Sequence, residues 1–201
     1  MTQPTDLTRR AVMGGVAALP LLPAAGWADA PMKGVSTPLH RRFKLGAFEV
    51  TMLLSGTFAR GEPQSIFGLN ASKEDFAAAS AAANIPIDQA QFFFTPVVVN
   101  TGEKLVLFDT GLNPASITAA LEDAGYSADQ VDMVVLTHMH GDHIGGLMGD
   151  AGETFNNAQL FAGQAEFDYW AKEKSDAFEG KVRPLADKIS MVGDEIGRAH
   201  V

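Results

Sequence analysis

The 201-residue chain contains no cysteine, which excludes a disulfide framework, a thiolate-held metal, a cysteine nucleophile and a lipoprotein anchor. Any metal it binds must be held by nitrogen and oxygen. An apolar run long enough for an ordinary transmembrane span is also missing, since Ala11 to Leu22 is short and interrupted by Gly14, Gly15 and Pro20. There is no internal repeat and no extended low-complexity tract. Positive charge is in deficit: the formal net charge of -9 argues against non-specific attraction to nucleic acid or to an anionic membrane surface. What is present, 46% hydrophobic and 19% charged residues, suits one globular domain with a real core.

The first thirty residues carry their own pattern. Residues 1–10 are polar and end in Thr8-Arg9-Arg10, the apolar run follows, and Ala28-Asp29-Ala30 supplies small residues where a signal peptidase reads. Paired arginines before a weakly apolar core look like a twin-arginine signal, although Ala11-Val12-Met13 lacks the phenylalanine often found there. The expectation is a cleaved leader over 1–30, a domain segment over 31–194, and work in the periplasm or outside the cell, with no stable membrane association after cleavage.

Three of the five histidines and one carboxylate fall within six consecutive residues, His138 to His143. Upstream, Val131 to Leu136 is a β-branched, apolar run that predicts a buried strand, and downstream Gly145-Gly146 breaks the pattern. A strand ending in a polar loop leaves these side chains on a rigid element, free to converge outward. His138 and His140, two apart on extended chain, point the same way and can hold one ion through neutral imidazoles. Asp142 and His143, as the chain turns, can be aimed at a second ion. Two metals about 3.5–4 Å apart polarise ester, amide or phosphoryl oxygens.

The order H-x-H-x-D-H resembles the signature of the metallo-β-lactamase superfamily. A second resemblance lies in the hairpin Val99 to Phe108 and the turn Asp109-Thr110-Gly111. The resemblance implies an α+β fold, the four-layer αββα sandwich, with only its N-terminal part present. It implies two zinc ions, His138 and His140 on the first, Asp142 and His143 on the second, with Asp109 supporting the loop without binding metal. It further implies a hydroxide nucleophile that Asp142 helps to orient, and a small-molecule substrate: an ester, lactone, organophosphate or β-lactam. Weaker likenesses in the run His138 to Leu147, the preceding Ala124-Gly125-Tyr126 and the later Phe167-Asp168-Tyr169-Trp170 point towards exported members related to methyl parathion hydrolase and quorum-quenching lactonases.

The rest of the chain yields a coarse map. Two short strands are expected around Gly46 within Phe43 to Leu54, a turn at Leu54 to Thr57, a loop over Gly61 to Asn70, and a helix from Ser72 to Ala83. One strand is expected over Gln91 to Asn100, with Phe92, Phe93 and Phe94 as core residues and Pro96 where no ladder bond is needed. Asn113-Pro114 starts a helix ending at Gly125. Ala158 to Ala162 is expected as a strand, and Gln164 to Lys172 as a helix on which Phe167 and Trp170 share a buried face. His40 is expected on the surface.

The resembled family uses further ligands: a later histidine, a bridging aspartate and a final histidine. Asp150, Asp168, Asp187 and Asp194 lack the matching context. His200 is set aside, because Ile196 to Val201 is what the codons ATC GGA AGA GCA CAC GTC encode, a string that looks like a sequencing adapter; 195–201 is therefore expected to be a non-native tail. Two other readings stand: an iron-dependent redox member of the same superfamily, and a non-catalytic exported metal-binding protein.

Overall fold

The computed structural model describes residues 38–193. The expected leader, its cleavage point, Asp194 and the tail including His200 lie outside these residues. In chain order the elements are β1 (His40–Leu45), β2 (Phe48–Leu53), β3 (Gly56–Gly61), α1 (Lys73–Ala82), β4 (Gln89–Phe94), β5 (Val97–Asn100), β6 (Leu105–Phe108), α2 (Pro114–Asp123), β7 (Met133–Leu136), α3 (Gly141–Ile144), β8 (Met148–Gly149), β9 (Gly152–Glu153), β10 (Gln159–Gly163), α4 (Gln164–Glu173), α5 (Asp176–Lys181) and β11 (Ile189–Val192).

Seven strands form the main sheet in the order β1-β2-β5-β6-β7-β10-β11. The first four pair antiparallel, and β6, β7, β10 and β11 run parallel. Parallel neighbours need crossovers, and α2 supplies the one between β6 and β7. Its start was legible: Asn113 accepts the Ser116 N–H at 2.9 Å, and Pro114 occupies the first turn, where no N–H is needed. Ser72 caps α1 in the same way, accepting the Asp75 N–H at 3.1 Å.

Strand alternation decides the core. Leu53, Val98, Leu107, Val134, Leu136 and Leu160 project to one face and are fully or almost fully buried with Ile117 and Leu121 of α2 and Phe178 of α5. On the opposite face Val97, Val99, Val106, Phe108, Val135 and Phe161 are only half-buried. One sheet with helices packed against its buried face thus makes a two-layer arrangement among the described residues.

Two expectations need correcting. Leu54 to Thr57 is not simply a turn, because β3 begins at Gly56 and pairs along its whole length with β4. Nor is Gln91 to Asn100 one strand. It divides at Thr95-Pro96 into β4, in a two-stranded sheet, and β5, in the main sheet. Pro96 has no N–H to donate, while its carbonyl accepts the Leu53 N–H at 2.9 Å and the Phe94 carbonyl accepts that of Ser55 at 2.9 Å, so the chain can change sheets here without losing these bonds. The elements after α4 had not been expected at all, being short and without strong period.

Asp132 ties the entry of β7 to β6. Its carboxylate accepts the Leu105 N–H at 2.8 Å and a proton of the Lys104 ammonium at 3.0 Å, and these two contacts, the backbone bond foremost, lower its pKa. A depressed carboxylate pKa contributes stability above the unfolded value of about 3.9, and that contribution is lost as pH falls through the folded value. The stability gap between wild type and Asp132→Asn in denaturant melts is therefore expected to be constant above about pH 5 and to close in stronger acid; a gap that widens in acid would contradict this.

Candidate metal centre

The carboxyl ends of β6 and β7 carry the residues singled out in the sequence, where open parallel sheets place their ligands. Asp109 follows β6, and Thr137 to His140 follow β7 and lead into α3. Asp109 has φ of 62°, a left-handed conformation uncommon outside glycine. That turn aims its carboxylate across to the next strand end. Oδ1 accepts the Thr137 N–H at 2.8 Å, and Oδ2 accepts both the Thr137 hydroxyl and His143 Nδ1–H, each at 2.8 Å.

These bonds set the histidine tautomers. The Thr137 hydroxyl spends its one proton on Asp109, so at 3.2 Å it can only accept from His138 Nδ1–H. His138 Nε2 is thereby left as a lone-pair donor, and so is Nε2 of His143. Burial, followed by the neighbouring His143 and His140, lowers the pKa of His138 and favours its neutral form. Burial pulls His143 down as well, but the Asp109 hydrogen bond and charge, with Asp142 behind them, outweigh it and raise its pKa.

The outward-facing donors fall into two pairs. His138 Nε2 accepts a hydrogen bond from His140 Nδ1–H at 3.0 Å, a proton that an ion would displace, and His143 Nε2 lies 3.4 Å from Asp142 Oδ2. Bonds of about 2.0–2.1 Å to a tetrahedral zinc separate two ligand atoms by roughly 3.3 Å. Both pairs fit an edge of that tetrahedron. Among the described residues no three such groups converge as a ready cage, so each pair offers two donors and no more. Asp150, Asp168 and Asp187 add nothing to either pair.

Glycine after the motif has a packing reason. A Cβ on Gly145 would sit 2.2 Å from the Leu112 carbonyl oxygen, and one on Gly146 would sit 2.2 Å from that of Thr110. Backbone from the Asp109 turn therefore lies directly against the loop, and the Thr110 N–H donates to the His143 carbonyl at 2.7 Å.

A cleft of about 200 Å³ opens beside the second pair, with Phe92, Phe93, Phe94, Thr95 and Pro96 on one side and Asp109, Asp142 and His143 on the other. The phenylalanines were expected in the core. Instead Phe93 is 62% exposed, because a two-stranded sheet has no interior to receive both of its faces. Phe92 and Phe94 stack on Phe58 with centroids 5.1 and 5.4 Å away, and Phe67 stacks on Phe92 at 5.8 Å. Phe167 and Trp170 do pack against the core as expected, while Tyr169 is exposed. His40 pairs with Asp123 at 2.8 Å, far from the loop in sequence and without a part in it.

Residues 95–188 match the model of the metallo-beta-lactamase superfamily. By this match the stretch is similar to the metallo-β-lactamase superfamily. The fold agrees: the dizinc quorum-quenching lactonase AidC superposes with a TM-score of 0.66 at 22% identity, covering 82% of this chain and 65% of AidC. The hydrolase AbOPH of the beta-lactamase superfamily gives 0.67 at 22% identity, over 79% of this chain and 62% of its own. The anti-Pycsar protein Apyc1 of Paenibacillus sp. (strain J14) is 35% identical over 57 residues, which is 28% of this chain and 22% of Apyc1. The chain spans less than two thirds of each of these proteins. The described residues thus form part of a metallo-β-lactamase fold.

Because Asp109 holds both the His143 ring and the Thr137 hydroxyl that orients His138, an affinity of this loop for added zinc is expected to fall about 10–100-fold in Asp109→Ala. Competition with a chromophoric chelator measures this, and an unchanged affinity in a folded variant would contradict the role.

Proposed function

We propose that the chain carries part of a dinuclear zinc hydrolase, with His138 and His140 on one ion and Asp142 and His143 on the other. The observation that carries this reading is the division of the donors into two pairs, each spaced as a zinc coordination edge. Zinc held there supplies Lewis acidity and lowers the pKa of bound water towards about 7.

The protein's own groups do the positioning. Asp109 and Thr137 fix the His138 and His143 rings with their Nε2 atoms facing outward. Asp142, at the cleft, orients the attacking water through its carboxylate. The aromatic wall of Phe92, Phe93 and Phe94 receives an apolar portion of the substrate and keeps bulk water from it. Uncharged carbonyl or phosphoryl compounds suit such a wall, which makes a lactone, ester or organophosphate the leading substrate, with a β-lactam also in the class. The leader-like first thirty residues support export, and hence action in the periplasm or outside the cell.

Two protein donors per ion among the described residues make a weak cage, so the 201-residue chain is expected to turn over chromogenic lactone, ester, phosphotriester and β-lactam substrates slowly at best. Elemental analysis after dialysis against zinc is expected to approach two ions per chain. One ion should be lost in the double variant His138→Ala/His140→Ala and the other in Asp142→Ala/His143→Ala. Binding of iron in preference to zinc would move the assignment to the redox branch, and zinc content indifferent to all four substitutions would overturn it.

A further inference from the structure

Glu166 is a carboxylate that the metal reading leaves without a task, and it is only 5% exposed. Burying such a group is costly unless its oxygens are well bonded. It stands in the first turn of α4, at the carboxyl end of β10, the strand next to β7 in the sheet. One of its oxygens, Oε1, accepts the Met139 N–H at 2.9 Å and the Trp170 indole N–H at 2.6 Å.

Met139 is the residue between the two histidines of the first pair, and its side chain is completely buried. The chain therefore anchors Met139 inward while His138 and His140 face out. The Glu166 bond holds the peptide on which that alternation turns. The same oxygen holds Trp170, whose ring lies edge-on to His140 with centroids 5.5 Å apart. A single atom thus fixes both the backbone between the two histidines and the wall behind one of them. Asp109 does the corresponding work on the other side, at Thr137 and His143.

We infer that Glu166 is a positioning residue for the first metal pair, acting through the Met139 amide and the Trp170 indole to hold the 3.0 Å spacing of His138 Nε2 and His140 Nδ1. The zinc half of this inference rests on the proposed metal site; the hydrogen-bond half does not. The signal in the sequence was slight, a lone glutamate at the start of an aromatic helix.

Two substitutions separate position from charge. Glu166→Asp withdraws the carboxylate by one methylene, and Glu166→Gln leaves an acceptor oxygen in place without charge. In the 201-residue chain, hydrogen exchange of the Met139 amide and zinc affinity by chelator competition are both read. Glu166→Asp is expected to exchange at Met139 at least about tenfold faster and to bind zinc about 10–100-fold more weakly, while Glu166→Gln stays within about threefold of wild type in both. A folded Glu166→Asp with wild-type zinc affinity would overturn the inference, as would a Glu166→Gln as impaired as Glu166→Asp. If the wild-type chain takes up no zinc, the metal reading fails, and Met139 exchange alone decides whether Glu166 holds the loop: fast exchange in Glu166→Asp with slow exchange in Glu166→Gln supports it, and equal rates overturn it.

Discussion

The carboxylate of Asp109 is the contact on which the site depends. It reaches from the end of β6 to the end of β7 and is shared by the Thr137 amide, the Thr137 hydroxyl and His143 Nδ1. Each bond removes a freedom the loop would otherwise have. The amide bond places the loop on the sheet, the hydroxyl bond passes an orientation on to His138, and the imidazole bond fixes the tautomer of His143. The left-handed backbone at Asp109 is what allows one side chain to do all three. Such conformations persist where the surroundings enforce them, and here the close approach of Gly145 and Gly146 to the same turn does so.

A second consequence follows from the sheet. Parallel strands β6, β7 and β10 present their carboxyl ends side by side, so residues distant in sequence, Asp109, His138 to His143 and Glu166, come to one edge. Asp109 grips this loop at its start and at His143, Glu166 at its middle. Rigid strands behind and two buried or part-buried carboxylates beside give these side chains fixed positions, the preorganisation that the proposed metal site requires.

Much of this was legible in the sequence because local rules carried it. The hairpin around Gly46, the capped starts of α1 and α2, the strand before His138 and the ordering of His138, His140, Asp142 and His143 each rest on neighbours in the chain. What escaped was non-local. The change of sheet at Pro96 depends on Leu53 and Ser55 lying opposite, and β3 is hidden in a stretch with turn-forming residues until its partner β4 is known. Phe92 to Phe94 look like core by composition, yet they wall a cleft because their sheet has only two strands. Glu166 carries no motif at all; its place beside Met139 is set by the β7–β10 pairing, which no local pattern reports.

The most direct test of the account is the anomalous scattering of zinc in crystals of the zinc-soaked protein. Two peaks are predicted, one between His138 Nε2 and His140 Nδ1 and one between Asp142 and His143 Nε2, with the Asp109 bonds to Thr137 and His143 intact. Zinc bound away from these four side chains, or none bound at saturating concentration, would contradict it.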